Sequence, residues 1–147
     1  MSISEQAASE EKEVAAVVRR FANNKFDVDG FLATWDDEAG EVLYQAEERL
    51  APFFTLDDVK AYFEGLADVI RAVRDVGVVD YKVRLLGDVA TVYTRAWCRI
   101  SFARVPRPVD GQVRQSFVLR RRPDGWRIVE YHESRQAPGF EEATGEW

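Results

Sequence analysis

The chain has 147 residues, of which 46% are hydrophobic and 12% aromatic, a size that predicts one globular domain over residues 1–147 with a substantial core. Its net charge of −6 argues against a nucleic-acid partner, because binding phosphates requires a surplus of Lys and Arg on one face. A single cysteine and a single histidine exclude an internal disulfide and leave too few ligands of these types for a zinc site. We therefore expect no metal.

Both ends of the sequence are polar. The first residues, MSISEQAASEEKE, are unlike a signal peptide, and no apolar run approaches the length of a membrane span. These features predict a cytoplasmic protein without a membrane partner. The ordered core is predicted to cover roughly residues 8–138, followed by a loose acidic tail at 139–147.

The first half of the chain is predicted to form helices. Apolar residues recur at intervals of three and four from Glu5 to about Asn24, which indicates one long amphipathic helix. A short helix capped by Asp27 or Asp29 follows, and it carries Trp35, which we assign to the core or to the wall of a pocket. Further on, the stretch EVLYQAEE is typical of a short strand.

A third helix is predicted to begin at Thr55, whose hydroxyl can cap it, three residues before Asp58. Apolar residues continue the helical spacing to about Asp75, and Gly77 ends the pattern. The apolar face of this helix would consist of Val59, Phe63, Leu66, Ile70 and Val73. The prediction is therefore a long helix that ends just before the second half of the chain.

The second half of the chain is predicted to be a sheet. Four segments are rich in β-branched and aromatic residues: VVDYKVRLL, VATVYTRAWCRISFA, QVRQSFVLRRR and WRIVEYHESR. Turn residues separate them, at Gly87–Asp88, at a loop that holds Pro106 and Pro108, and at Pro123–Asp124. Helices followed by consecutive strands with short turns indicate an α+β fold with a mostly antiparallel sheet.

Two stretches resemble a known superfamily. VVRRFANNKFDVDGFLATWDDEA is similar to the helical opening of nuclear transport factor 2-like proteins, which include SnoaL-like cyclases and ketosteroid isomerases. RRRPDGWRIVEYHESRQAP resembles the closing strand of SnoaL-like proteins and of the calcium/calmodulin-dependent kinase II association domain. The resemblance implies a curved mixed, mostly antiparallel sheet wrapped round three helices into a cone-shaped α+β barrel. It also implies a ligand pocket at the open end, no cofactor, and a homodimer formed through the outer face of the sheet.

That fold further implies which side chains of the last strand face the pocket. The inward set would be Ile128, Glu130, His132 and Ser134. The outward set would be Arg127, Val129, Tyr131, Glu133 and Arg135. Glu130 and His132 would then be the catalytic acid–base pair. The alternative is a structural, hydrogen-bonded histidine, with Glu130 in a buried ion pair with Arg95.

Other elements would complete the site with ligand-binding side chains. The set that the resemblance implies is Arg95, Tyr93, Trp97, Gln115, Phe117, Tyr44 and Trp35. Three of these residues belong to the long strand, and their inward orientation follows the isomerase pattern. The even-numbered residues of that strand are more apolar, so the opposite orientation, in which they pack on the helices, stays open.

Residues that ketosteroid isomerases need are missing at the matching positions. The position of their carboxylate base falls at Leu43 or Tyr44. The position of their tyrosine falls at Phe21, and that of their second acid at Gln115. The resemblance therefore argues against steroid isomerisation by that mechanism.

Two classes of function remain open. The first is a cofactor-free acid–base enzyme, a cyclase, isomerase, dehydratase or hydrolase, that acts on a small polyketide-like or aromatic molecule. The second is a non-catalytic ligand-binding module or an oligomeric association module. The enzyme is the prediction, because the expected pocket would hold both an acid–base pair and a cation.

Overall fold

Three helices pack against a five-stranded sheet in a computed structural model that describes residues 2–23 and 27–136, without the side chains at 75 and 76. The helices are α1 (Ile3–Asn23), α2 (Val28–Leu32) and α3 (Leu56–Leu66). The strands are β1 (Leu43–Gln45), β2 (Ile70–Leu86), β3 (Val89–Phe102), β4 (Val109–Arg122) and β5 (Gly125–Ser134). The predicted α+β class is confirmed. The predicted tail at 139–147 lies outside the described residues.

The sheet has the strand order β1-β5-β4-β3-β2. Every neighbouring pair is antiparallel except β1 and β5, which run parallel. Gly87, with a φ of 68°, lies in the turn between β2 and β3, and Gly125, with a φ of 129°, begins β5 after the turn that follows β4. These are the positions at which the sequence predicts turns, and glycine adopts a positive φ without steric cost.

Two of the predicted helix starts have the expected capping bonds. The Asp27 carboxylate accepts a hydrogen bond from the backbone N–H of Gly30 at 3.2 Å, at the start of α2. The Thr55 hydroxyl accepts one from the N–H of Asp58 at 3.2 Å, at the start of α3. Within residues 2–23 and 27–136, none of the helices has the length and apolar character that crossing a bilayer requires.

The predicted end of α3 is wrong. The helix ends at Leu66, and the chain enters β2 at Ile70, which pairs with the far end of β3. An irregularity in the pairing between Ile70 and Ala72 shifts the alternation of β2, so that Ile70 and Val73 face the same side. Their spacing of three therefore imitates a helical face. Hydrogen bonding along β3 outweighs that local pattern.

Packing of the helices on the inner face of the sheet buries a cluster of aromatic rings. Phe21 of α1 is fully buried, and its ring centroid lies 4.8 Å from that of Phe31 in α2. The same ring lies 5.1 Å from Phe117 in β4 and 4.6 Å from Tyr131 in β5. These tilted and edge-on contacts are favourable for aromatic side chains, and they join the helices to the centre of the sheet.

A β-bulge in β5 reverses the predicted orientation of its second half. Leu119 of β4 pairs with Ile128, but the preceding residue, Val118, pairs with Glu130, so Val129 has no partner of its own in β4. The extra residue shifts the alternation by one position. Ile128 therefore faces inward as predicted, whereas the inward residues beyond the bulge are Tyr131, Glu133 and Arg135.

The bulge lies where β5 changes its partner on the edge opposite β4. Before it, the N–H of Ile128 donates to the carbonyl of Thr34 at 2.8 Å, and the N–H of Asp36 donates to the carbonyl of Ile128 at 2.9 Å. After it, Glu130 and His132 pair with β1. Val129, the extra residue of the bulge, lies between the two pairings. The reversal of β5 thus follows from contacts distant in sequence.

The predicted orientation of β3 is wrong over its whole central part. The buried residues are the even-numbered ones, Val92, Thr94, Ala96 and Cys98. Tyr93, Arg95 and Trp97 lie on the outer face instead. The physical reason is packing: the set of smaller side chains contacts the helices and the cavity, and the larger side chains of Tyr93, Arg95 and Trp97 lie on the opposite face, where they are only partly covered.

Candidate active site

A pocket of about 270 Å³ lies between the helices and the inner face of the sheet. Small side chains of β3, Thr94, Ala96 and Cys98, leave this space open, because larger residues at these inward positions would fill it. Most of the wall is apolar, with contributions from Val18, Val28, Phe63, Leu66, Ile70, Val73, Ile100 and Val113. This volume is slightly below the roughly 300–1,000 Å³ typical of ligand sites, so the pocket suits a small molecule.

One end of the pocket is polar. Its side chains come from β4, from β5 and from the segments that follow β1 and β5: Gln115, Glu133, Glu47, Glu48 and Arg135. The register of the sheet places Gln115 beside Glu133, because Gln115 of β4 pairs with Glu133 of β5. On its other side Gln115 pairs with Thr94 of β3. The polar groups are therefore positioned by rigid strands.

A chain of hydrogen bonds leads to the Glu133 carboxylate. The Thr94 hydroxyl donates to the Oε1 atom of Gln115 at 2.7 Å, and the Gln115 amide donates to the Tyr131 hydroxyl at 2.8 Å. Tyr131 in turn donates to the Oε2 atom of Glu133. Each donor polarises the next bond, so the chain stabilises the negative charge at its end.

The phenols of the site stay protonated. Burial raises the pKa of Tyr131 well above its ordinary value, and the negative charge of Glu133 raises it further. Tyr44 is stacked on this ring with a centroid distance of 5.2 Å, and burial followed by the charge of Glu133 likewise raises its pKa. Tyr131 therefore remains a hydrogen-bond donor to the Glu133 carboxylate.

A second carboxylate, that of Glu47, lies beside the first and is paired with Arg135. The Nε atom of Arg135 donates to the Oε1 atom of Glu47 at 2.6 Å. The backbone N–H of Glu47 donates to the Oε1 atom of Glu133 at 3.2 Å, which places the two acids next to each other. The Oε2 atom of Glu47 is buried and has no hydrogen-bond partner among the residues that the structure describes.

Several sequence-predicted residues face inward as expected. Gln115 and Tyr44 line the pocket. Phe117 and Trp35 are buried in the aromatic core, and Phe117 packs against Tyr131 at 5.0 Å between centroids. Trp35 therefore belongs to the core. A ligand-binding role for Gln115 and Tyr44 stays a prediction.

The predicted catalytic pair is not in the pocket. Glu130 and His132 are exposed on the outer face, because the bulge at Val129 reverses the strand before it reaches them. Their placement in the pocket was wrong, and with it the geometric reason for assigning them acid–base chemistry there. The alternative of a buried ion pair between Glu130 and Arg95 is wrong as well, since Glu130 is exposed.

The predicted inward placement of Tyr93, Arg95 and Trp97 was also wrong. Tyr93 is 43% exposed, and Trp97 is partly buried on the same outer face. The Arg95 side chain, 42% exposed, donates to the Asp80 carboxylate at 3.0 Å on the neighbouring strand. None of these three side chains lines the pocket.

Sequence reasoning missed the residues that make up the polar end. The alternation of β5 predicts an outward orientation for Glu133 and Arg135, whereas shifting that strand by one residue turns both toward the pocket, together with Tyr131, which is buried behind it. Glu47 lies in the segment after β1, and no local pattern distinguishes it from the acidic residues around it. No group of three or more metal-ligating side chains occurs in the part of the chain that the structure describes.

Comparison with known proteins gives a family match. A family model described as the calcium/calmodulin dependent protein kinase II association domain matches residues 10–137. No curated protein sequence matches the chain.

Solved structures with the same fold include three that cover most of this chain. A candidate dehydratase of the nuclear transport factor 2-like family from Streptomyces avermitilis is 20% identical, with a TM-score of 0.73 over 89% of this chain and 99% of that one. A candidate aromatic ring hydroxylase from Novosphingobium aromaticivorans is 15% identical, with a TM-score of 0.77 over 89% and 92%. A candidate calcium/calmodulin dependent protein kinase II association domain from Xanthomonas campestris is 18% identical, with a TM-score of 0.70 over 86% and 87%. These similarities confirm the nuclear transport factor 2-like fold.

Proposed function

The chain belongs to the calcium/calmodulin dependent protein kinase II association domain family, and from the geometry of its pocket we propose that it catalyses a cofactor-free proton transfer on a small, mainly apolar molecule. The observation that carries the proposal is the hydrogen-bond chain from Thr94 to Glu133. It ends on a carboxylate at the boundary between the polar end and the apolar wall. Substrates of this size include small aromatic or polyketide-like molecules.

The proposed reaction begins with removal of a proton from a carbon next to a carbonyl group. The Glu133 carboxylate takes the proton, and the electron pair of the broken C–H bond moves into the carbonyl to form an enolate. The negative charge thus passes from Glu133 to the substrate oxygen, and Arg135 is a cation of the polar end that can stabilise it. Return of the proton from Glu133 to a different carbon would complete an isomerisation. Donation of that proton to a hydroxyl group on the β carbon, which then leaves as water while the enolate carbonyl re-forms, would complete a dehydration.

Deuterium exchange tests the proposal without knowledge of the natural substrate. We expect the protein to accelerate exchange at the carbons beside the carbonyl of 4-phenylbutan-2-one in D₂O, measured by proton NMR. Ala96→Leu should abolish the acceleration, because the larger side chain points into the pocket. Thr91→Leu, on the outer face of the same strand, is the matched control and should keep it. No acceleration by the unmodified protein, or full activity of Ala96→Leu, would contradict the proposal.

A second candidate function is assembly through the outer face of the sheet, as an association module. Tyr93 is 43% exposed there, and Arg95 and Arg114 lie directly opposite each other on β3 and β4. Like charges in this arrangement are unfavourable. Asp80 already pairs with Arg95, so a carboxylate of a second copy would act on Arg114. The predicted outer-face residue Tyr131 does not contribute, since it is buried.

We expect the unmodified chain to sediment as a homodimer at micromolar concentration, and Tyr93→Glu to shift it to a monomer by placing a charge in the interface. Tyr81→Glu is the matched control, because Tyr81 is an exposed tyrosine that pairs with Thr94 and so points to the inner side. It should leave the dimer intact. A monomer for the unmodified chain would exclude this assembly.

A further inference from the structure

We propose that the ligand of the pocket carries a protonated amine, which binds at the polar end between Glu47 and Glu133. This inference rests on the proposed function, because it assumes that the pocket binds a small molecule. The inference concerns the class of ligand: a small apolar molecule with an organic ammonium group. Three observations support it, namely the net charge of the polar end, a buried acceptor without a donor, and an aromatic ring beside the site.

The charges at the polar end do not balance. Glu47, Glu48 and Glu133 supply three carboxylates, whereas the pocket has two guanidiniums, those of Arg135, which contacts Glu47, and of Arg19 on α1. Glu133 forms no ion pair with any residue in the described ranges; its partners are the Tyr131 hydroxyl and the N–H of Glu47. A ligand with one positive charge would neutralise the remaining carboxylate in a setting where burial makes charge complementarity strong.

The second observation is the position of an acceptor that lacks a donor. Arg135 contacts the Oε1 atom of Glu47, whereas the Oε2 atom is buried without a partner in the described part of the chain. A buried carboxylate oxygen without a hydrogen-bond donor destabilises the protein, and a ligand that supplies the donor would remove this penalty. An ammonium group has three N–H donors, enough to reach this oxygen and Glu133 together.

Aromatic surroundings favour a cation over a neutral donor. Tyr44 lines the pocket beside Glu47 and is stacked on Tyr131, so its ring is held in place. The face of an aromatic ring attracts a nearby cation. Tyr44 can therefore contribute to binding of an ammonium group that enters the polar end.

An anionic ligand fits the site poorly. It would meet three carboxylates, and the guanidinium of Arg135 already contacts Glu47. The Nη1 atom of Arg135 points to the Gln112 carbonyl at 3.5 Å, and its Nη2 atom lies 3.8 Å from the Cys98 sulfur. An anion would have only the remaining N–H groups of Arg135, and the neighbouring carboxylates of Glu47 and Glu133 would repel it.

Three probes with one phenylalkyl frame test the charge preference: 3-phenylpropan-1-amine, 3-phenylpropan-1-ol and 3-phenylpropanoate. At pH 7 the first is a cation, the second is neutral and the third is an anion. Isothermal titration calorimetry with the unmodified protein should show the amine binding at least about tenfold more tightly than the alcohol, and the carboxylate weakest. This comparison needs no variant, so it does not depend on the folding of a mutant.

Glu47→Gln then tests the acceptor. It should weaken binding of the amine by about tenfold to a hundredfold and change binding of the alcohol by much less. Glu41→Gln removes an exposed carboxylate just before β1 and is the matched control, with no expected effect on either probe. Thermal unfolding of each variant establishes that it is folded under the conditions of the titration.

Equal affinity for the amine and the alcohol, preference for the carboxylate, or absence of binding by all three would overturn the inference. Retention of full amine affinity by folded Glu47→Gln would overturn it as well. Deuterium exchange of the neutral ketone is a separate measurement. Exchange without an amine preference therefore leaves the proposed function standing, whereas an amine preference without exchange supports a binding role for the same pocket.

Discussion

Glu133→Gln is expected to slow deuterium exchange of the ketone by about 10²- to 10⁴-fold, the usual contribution of a general base. Glutamine keeps the shape of the side chain and can still accept the hydrogen bond from Tyr131, but it cannot take a proton from carbon. The measurement is the exchange rate by proton NMR at a fixed protein concentration. Thermal unfolding of the same sample reports whether the fold is intact.

The same strand supplies matched controls for this variant. Glu130→Gln removes a carboxylate three residues away on the exposed face, and His132→Ala removes the one imidazole of the chain from that face. Both should exchange the ketone at the rate of the unmodified protein and unfold within about 0.5 kcal/mol of its stability. A large loss of activity in His132→Ala together with full activity in Glu133→Gln would reverse the assignment of the base.

Phe21→Ala should be the most destabilising of the substitutions considered, lowering the free energy of unfolding by about 3–5 kcal/mol. Phe21 is fully buried and its ring touches rings from α2, β4 and β5, so truncation leaves a cavity where helices and sheet meet. At about 2–4 °C per kcal/mol, the melting temperature should fall by roughly 6–20 °C.

Calorimetry or circular dichroism on heating measures that shift. Phe54→Ala is the matched control, because Phe54 is 47% exposed and belongs to no ring contact of the buried aromatic cluster. Its melting temperature should change by much less. A similar shift in the two variants would mean that the ring cluster is not the part of the core on which stability depends.

Local chemistry made much of the fold predictable. The capping residues Asp27 and Thr55 and the turn at Gly87–Asp88 act within a few residues of the sequence, and each has the predicted role in the structure. The fold class followed from the order of helices and strands together with two family-like stretches. In β4, Gln115 and Phe117 face inward because that strand keeps a strict alternation.

The predictions that failed depend on pairings between distant segments. Ile70 and Val73 satisfy a helical spacing as well as a bulged strand, and contact with the end of β3 decides between them. In β3 both alternating sets contain large or apolar residues, so the sequence did not identify the inner one. For β5, neither Val129 nor its neighbours resemble a bulge signal such as glycine, and the shift follows from the change of partner strand.

The bulge at Val129 determines how the pocket responds to a deletion. Beyond that residue β5 carries two interleaved sets of functional groups, one with Tyr131 and Glu133 and the other with Glu130 and His132. Deleting Val129 would join Ile128 to Glu130 and leave the first set facing the pocket, because Glu130 would still pair with Val118. The second set would face the pocket only if Val129 were kept and paired with Val118 as an ordinary strand residue. The pairing of the strand, rather than its order of residues, thus determines which set reaches the cavity.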